Sequence, residues 1–440
     1  MPRTTSTITT ITQTTTTSAA AVTIMIMVMI MITSADAAMT TATVINMAAA
    51  DFPVQVGSLR FSPCNLCPRL CAADRAAGRR GVCGADDTIR VARAALHYWE
   101  EPPLSGESGS GTVFFANCPL HCVYCQNATI AEGEFGIDVT IDRLADIFLE
   151  LQAQGALNIN CVTPTHYALQ IREAVRVSRG RGLALPVAWN TSGYERFQAI
   201  NALKDTVDIY LTDFKYASGQ VAQAYSHAAD YPEVAVRALD AMVETIGAPK
   251  FDEYRDQVRM THGVVVRHLL LPGGLEDSKR VLRLLYERYG DDVLVSVMNQ
   301  YTPVLASRAE DGDARAQRVL ARYPCLAGTV PNEEYERLLD YADSIGMEDY
   351  FWQEGPAAKE SFIPEWDGSG VAERGLLDRS DSDGIKVSSR EAQAASPVFS
   401  SSGVAERGLL DRSDSDHVLM PERGLLDRND SDEAGANYAS

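Results

Sequence analysis

The sequence predicts an α/β protein: a partial (βα)6 barrel of the TIM type, with a cysteine-rich module in front and disordered termini. Three observations predict it. From Gly111 onward, short and nearly continuous apolar segments alternate with amphipathic stretches, as in a parallel sheet covered by helices. Seven of the nine cysteines fall between residues 64 and 125. Both ends of the chain are of low complexity, unlike the middle.

The chain has 440 residues, of which 46% are hydrophobic, enough for a substantial core. Its net charge of −20 speaks for solubility and against a nucleic-acid surface. Clustered cysteines favour metal over disulfides, and with it a reducing, cytoplasmic setting. Residues 1–46 carry only Arg3 and Asp36 as charges. Within them, Ala19 to Ile32 is an apolar run of 14 residues, short for a spanning helix, so no membrane is expected. Three readings of this segment stand: a non-native extension before a start at Met47, a disordered tail, or a targeting segment.

The cysteine-rich module is placed at 58–110. Cys64, Cys67, Cys71 and Cys83 form C-x2-C-x3-C-x11-C, with Gly78, Gly81 and Gly84 to turn the chain. Zinc and a second iron–sulfur cluster are the two metal readings; bare thiols are the third. His97 and Glu100 are read as structural, packing this module onto the barrel. The Gly/Ser run 105–111 is a loop, and no Gly-Lys-Ser/Thr comes after it, so it is not a nucleotide P-loop.

The segment 111–303 is the expected barrel. Gly111-Thr112-Val113-Phe114-Phe115-Ala116 reads as a buried strand, and the loop leaving it holds Cys118, Cys122 and Cys125 as C-x3-C-x2-C. Three thiolates on one tight loop suit three irons of a four-iron, four-sulfur cube and leave the fourth iron open to another ligand. A zinc knuckle completed by His121 is the competing reading. With Tyr124 just before the third cysteine, this motif resembles that of radical S-adenosylmethionine enzymes. The text Gly111-Thr112-Val113-Phe114-Phe115 with Cys122-Val123-Tyr124-Cys125-Gln126-Asn127, and the front pattern C-x-L-C-P-R-x-C, are similar to the pyruvate formate-lyase activating branch, over roughly residues 58 to 366. The resemblance implies a 4Fe-4S cluster on Cys118, Cys122 and Cys125, with S-adenosyl-L-methionine at its open iron. It also implies reductive cleavage to a 5′-deoxyadenosyl radical, a glycyl-radical protein as substrate, and a flavodoxin- or ferredoxin-type electron donor.

Strand candidates are 111–117, 158–163, 186–191, 207–214, 263–271 and 293–299; helices are expected at 140–154, 166–180, 194–204, 231–246 and 276–289. In such barrels the chemistry gathers at the C-terminal ends of the strands. The second strand ends at Thr163-Pro164-Thr165-His166, where the resembled family often has a Gly-Gly-Glu-like turn for the cofactor's amino group. Thr163 is the candidate replacement. His166 is a helix cap or a functional group, and Cys161 a core thiol. Asn190 and Ser192 end the third strand and suit ligand hydroxyls and a carboxylate, or an ordinary helix cap. Asp213 and Lys215, two apart, share a face at the end of the fourth strand, where a charged pair is costly unless it serves a site. Arg267 and His268 interrupt the fifth strand. The guanidinium of Arg267 matches a carboxylate, and a buried structural ion pair is the alternative. Asn299 and Gln300 end the sixth strand, as partners for adenine or ribose. The resemblance points to Asp213, Lys215 and Arg267 as catalytic positions; Tyr124, Thr163, Asn190, Ser192 and Asn299 are the candidate cofactor contacts.

Residues 304–366 form an expected closing segment with a helix at 332–345. From 367 to 440 the composition shifts to Ser, Asp, Gly and Arg, with three near-identical units: Glu373 to Asp383, Glu406 to Asp416 and Glu422 to Asp432. Units so short and polar bury no core, so a disordered tail is expected. Two further functions stay open: the same radical chemistry on another small molecule or peptide, and a non-catalytic iron–sulfur or zinc protein.

Overall fold

The structure is a computed structural model, described for residues 59–353, 363–372 and 399–401. Residues 1–46 and the three repeated units lie outside the described residues.

The described strands are β1 (Ile89–His97), β2 (Ser110–Phe115), β3 (Ile137–Val139), β4 (Ile159–Val162), β5 (Val187–Thr191), β6 (Ile209–Asp213), β7 (Lys250–Tyr254), β8 (Gln257–Leu269), β9 (Leu294–Met298), β10 (Tyr350–Gln353) and β11 (Phe399–Ser401). They form one mixed sheet in the order β11-β10-β9-β8-β6-β5-β4-β2-β1-β3, with β7 folded back on β8. The run from β2 to β10 is parallel throughout, and its strands stand side by side in chain order. The path ends at β11 and β3 without returning, so the sheet is unclosed.

The strands are apolar because both faces are covered. Every residue of β2, β5 and β9 is buried. Helices cross over between parallel strands, as parallel pairing demands. The helix Ile141–Gln154 shows how. Thr140 accepts the Arg143 amide at its start, and Gly155 takes a left-handed φ of 102° at its end. Between them Leu144, Ile147, Phe148 and Leu151 are at most 1% exposed. Each contributes about 1.5–3 kcal/mol by leaving water.

The six expected strands correspond to β2, β4, β5, β6, β8 and β9. Several elements depart from the expectation. β3 and β7 lie outside the expected strands, and β11 falls in the tail expected to be disordered. β1 pairs antiparallel with β2, so the second half of the segment 58–110 belongs to the sheet. β10 adds a further parallel strand beside β9. The helix Gly219–Ser226 comes after β6, opened by Ser218. Order also continues past residue 366: Trp366 packs edge-on to Phe114, Arg93 pairs with Asp367, and the Ala94 amide donates to the Ser369 carbonyl. Among the described residues no helix is long and apolar enough to cross a membrane.

Candidate active site

The C-terminal ends of β2, β4, β5, β6, β8 and β9 surround a cavity of about 250 Å³. Cys118, Cys122 and Cys125 line it, with Tyr124, Thr163, Asn190, Ser192, Asp213, Lys215 and Arg267. Site candidates read separately along the sequence thus meet in one space. Asn299 is not among the lining residues: its amide nitrogen on the backbone donates to Gln353 Oε1 at 2.7 Å, and its side chain is buried. Gln300, Tyr301 and Thr302 line the cavity there instead.

The cysteine loop is held from two sides. Asn117 and His121 adopt left-handed φ angles of 77° and 54°, which fold the loop tightly after β2. From the front module, Arg69 donates to the carbonyls of Pro119 at 3.0 Å, Leu120 at 3.2 Å, Ser226 at 2.8 Å and His227 at 2.5 Å. His121 Nε2 donates to the Val82 carbonyl at 2.9 Å. From the other side runs a chain of hydroxyls. Tyr124 donates to Tyr216 at 2.8 Å, Tyr216 to Ser226 at 2.7 Å, and Ser226 to the Cys122 sulfur at 3.1 Å. Burial pushes the thiols of Cys118 and Cys125 up to about 11 and about 12, and the neighbouring Cys122 adds to both shifts.

Opposite the thiols lies a charged wall. Arg267 donates to Glu100 Oε2 at 2.9 Å and to Asn190 Oδ1 at 2.8 Å. Asn160 donates to the other oxygen of Glu100 at 2.8 Å. Glu101 lies 4.0 Å from Arg267 Nε, is fully buried, and neither of its oxygens has a hydrogen-bond partner. Burial raises its carboxyl above the ordinary range, against the pull of Arg267. Lys215 donates to Asp213 at 2.6 Å. Burial works against its charge, but Asp213 and then Cys122 hold it protonated. The glycine after Ser192 is required here: at Gly193 φ is 77°, and a Cβ would collide with the Asp213 carbonyl. Ser192 Oγ is buried at the cavity wall with no hydrogen-bond partner, a polar group left available to a ligand.

In the front module Cys64, Cys67 and Cys83 are buried and Cys71 is partly exposed. Gly81 fits between two sulfurs: a Cβ there would sit 3.2 Å from that of Cys71 and 3.4 Å from that of Cys83. Burial pushes Cys67 up to about 12. Among the described residues, no group of three or more His, Cys, Asp or Glu side chains is arranged to hold a metal ion; this applies to the front cysteines as to the loop cysteines. A single zinc ion would need its thiolates to converge at about 2.3 Å. Cysteines of a four-iron cube each take a different iron and need no common point. The soft, all-sulfur donor set on the loop fits such a cluster.

No protein-family model matches the chain. It is 25% identical over 309 residues to an uncharacterized protein of Methanocaldococcus jannaschii, a match covering 68% of this chain and 79% of that one. Among solved structures, a radical SAM methyltransferase from Sphaerobacter thermophilus aligns with a TM-score of 0.38 and 14% identity, over 57% of this chain and 69% of that one. A score of that size carries no argument about fold or chemistry.

Sequence reasoning reads Glu100 as structural and passes over Glu101 and Glu195. In the structure Glu100 lines the cavity and holds Arg267. Glu195 is buried, accepting from Thr191 at 2.6 Å and from Thr165. The signal is present in Glu100-Glu101-Pro102-Pro103, two acids ahead of a helix that begins with proline, but nothing local shows what they face. His166 does not cap its helix through the side chain. It is 1% exposed and its Nε2 donates to the Ala116 carbonyl at 2.8 Å, fixing the backbone just before the cysteine loop. Nδ1 has no partner, and burial pushes the ring down to about 3, so it stays neutral.

This burial makes stability depend on pH. Between its ordinary value of 6.5 and about 3, the unfolded chain takes up a proton at His166 that the folded chain refuses, so stability falls as pH falls. Glu195, raised to about 7 by burial, acts in the opposite direction from 4.5 upward. The isolating measurement is therefore a difference. Urea unfolding of wild type and His166→Gln at pH 6.5 and pH 4.5 is expected to shift by about 2 kcal/mol in favour of the variant at the lower pH. A gap that does not change with pH would rule out a buried neutral imidazole.

Proposed function

We propose that this chain is a radical S-adenosylmethionine iron–sulfur enzyme of the glycyl-radical-activating type, built on an open (βα)6 barrel. The observation that carries the reading is the shared cavity: the three thiols of C-x3-C-x2-C line it together with an unpartnered serine hydroxyl and two cation–carboxylate pairs, one buried and one partly exposed. Cys118, Cys122 and Cys125 would hold the cluster, and the raised thiols of Cys118 and Cys125 must release protons as it loads. A cluster held there would supply the single electron needed for reductive cleavage of the carbon–sulfur bond of S-adenosylmethionine.

The chain's own residues bind and orient. Ser192 and Thr163 offer hydroxyls to the ligand's polar groups, and Asn190 and Arg267 form one preset wall. Lys215 places a cation beside the thiols, which favours their ionised form. Tyr124, Tyr216 and Ser226 direct a hydrogen bond at Cys122, and bonds to cluster sulfurs tune the reduction potential.

The test is made on protein starting at Met47, purified and reconstituted without oxygen. With dithionite and S-adenosylmethionine it is expected to release 5′-deoxyadenosine, and Cys122→Ala is expected to release none. An intact cluster that binds S-adenosylmethionine yet gives no product, with or without a glycyl-radical protein, would overturn the reading and favour an electron carrier.

A further inference from the structure

We propose that the front cysteine module is the docking surface for an acidic one-electron carrier protein, and that the electron reaches the cysteine loop through the Val82–His121 contact. The proposal rests on the reading given under Proposed function.

Three independent observations lead there. The first is charge. Of the four arginines between Cys64 and Cys83, Arg75 is buried and Arg69 is bound to loop carbonyls, which leaves Arg79 and Arg80 as surface cations on a chain whose net charge is −20. Arg79 and Arg80 are exposed, and among the described residues their side chains make no hydrogen bond or ion pair. The second is apolar exposure. Leu70 and Val82 are 56% and 52% exposed, above every other exposed large hydrophobic side chain among the described residues. Leu70 directly precedes Cys71 and Val82 directly precedes Cys83, and the two sulfurs flank Gly81. Exposed apolar side chains with two free arginines close by in the chain suit a weak, quickly exchanging interface for an acidic partner.

The third is continuity. The Val82 carbonyl accepts from His121, and His121 is bonded directly to Cys122. Arg69, adjacent to Leu70, holds the loop's own carbonyls at Pro119 and Leu120. The surface therefore lies one hydrogen bond and a few covalent bonds from a thiol of the loop, whatever the front cysteines hold. The balance is simple: the carrier is oxidised by one electron, the cluster site is reduced by one, and no atom moves. A second copy of this chain is the poorer occupant, since two bodies of charge −20 repel.

The probe is a reduced flavodoxin. Its association with reconstituted full-length protein is followed by stopped-flow absorbance at low and high salt, and binding to apo-protein by fluorescence anisotropy. An Arg79→Glu/Arg80→Glu variant is compared with an Arg318→Glu/Arg322→Glu control, which makes the same charge change at two exposed residues of the helix Ala314–Arg322. The first variant is expected to lose about tenfold or more in on-rate and affinity at low salt, and the control much less. Dithionite-driven release of 5′-deoxyadenosine is expected to be unchanged in both. Equal loss in the two variants, or none in the first, overturns the proposal. So does loss of the dithionite-driven product in the first variant alone, which would mark the strip as a substrate surface, and so does a wild-type dimer that the first variant dissociates. If dithionite gives no product with any protein, the functional reading has failed, and the anisotropy arm still decides the docking.

Discussion

Replacing Arg267 with methionine is expected to lower the stability of the metal-free protein by about 3–5 kcal/mol, the cost of leaving a buried charge without its partner. The site explains the size. Arg267 is hydrogen-bonded to Glu100 and Asn190, and it is the cation that faces the fully buried Glu101. Methionine fills much of the volume but leaves two carboxyls in the interior with no counter-charge. Glu101, its carboxyl already raised by burial, fixes the sign of the pH dependence. A carboxyl raised in the folded state binds a proton that the unfolded chain has already lost, so the variant loses stability as pH rises above 4.5. The deficit, read from urea midpoints, should be smaller at pH 5 than at pH 8. Adding Glu100→Gln and Glu101→Gln should recover more than half of it, because uncharged groups need no cation. A deficit below about 1 kcal/mol at pH 8 would mean that water reaches these carboxyls.

Arg69→Met is expected to shorten the lifetime of the reconstituted cluster by about ten- to a hundredfold under chelator challenge, the usual cost of losing an outer partner of a metal site. One guanidinium holds four carbonyls, two on the cysteine loop and two at the end of the helix that presents Ser226 to Cys122. Without it, both neighbours of the thiols lose their fixed spacing. Arg69→Lys should recover little, since an ammonium cannot span that fork. The decay of charge-transfer absorbance reads the effect directly, and a lifetime within twofold of wild type would remove Arg69 from the account.

How far the sequence is legible depends on the range of each signal. The parallel strands stand out because burial on both faces writes Val, Ile and Leu in runs, as in Val264 to Val266. The loop cysteines stand out because their spacing is local. β1 does not, because Arg90 and Arg93 break its apolar text; each faces a carboxylate, Asp138 and Asp367 respectively. β10 is only four residues long and its partner β9 lies far back in the chain. The helix Gly219–Ser226 carries too weak an apolar face to be seen, yet it supplies the donor to Cys122. The charged wall is hidden for a different reason. Arg267 shows as an anomaly in an apolar strand, but its partner Glu100 is 167 residues earlier, and no periodicity links them. Asn299 shows the converse error: a polar residue at a strand end whose backbone is held by Gln353 and whose side chain lies outside the cavity lining.

The monotonic strand order has a consequence for how the molecule is made. Each parallel strand lies beside the one synthesised just before it, so the sheet can extend while the chain is still emerging from the ribosome. The cavity cannot be completed on that schedule. Glu100 and Glu101 are translated early, and the guanidinium that neutralises them arrives with β8. Until then Asn160 is the partner available to Glu100, and the burial of both acids lacks its counter-charge. Arg267 thus joins the charged wall only after both acids are made, and a chain interrupted before it presents a partial sheet without a finished pocket.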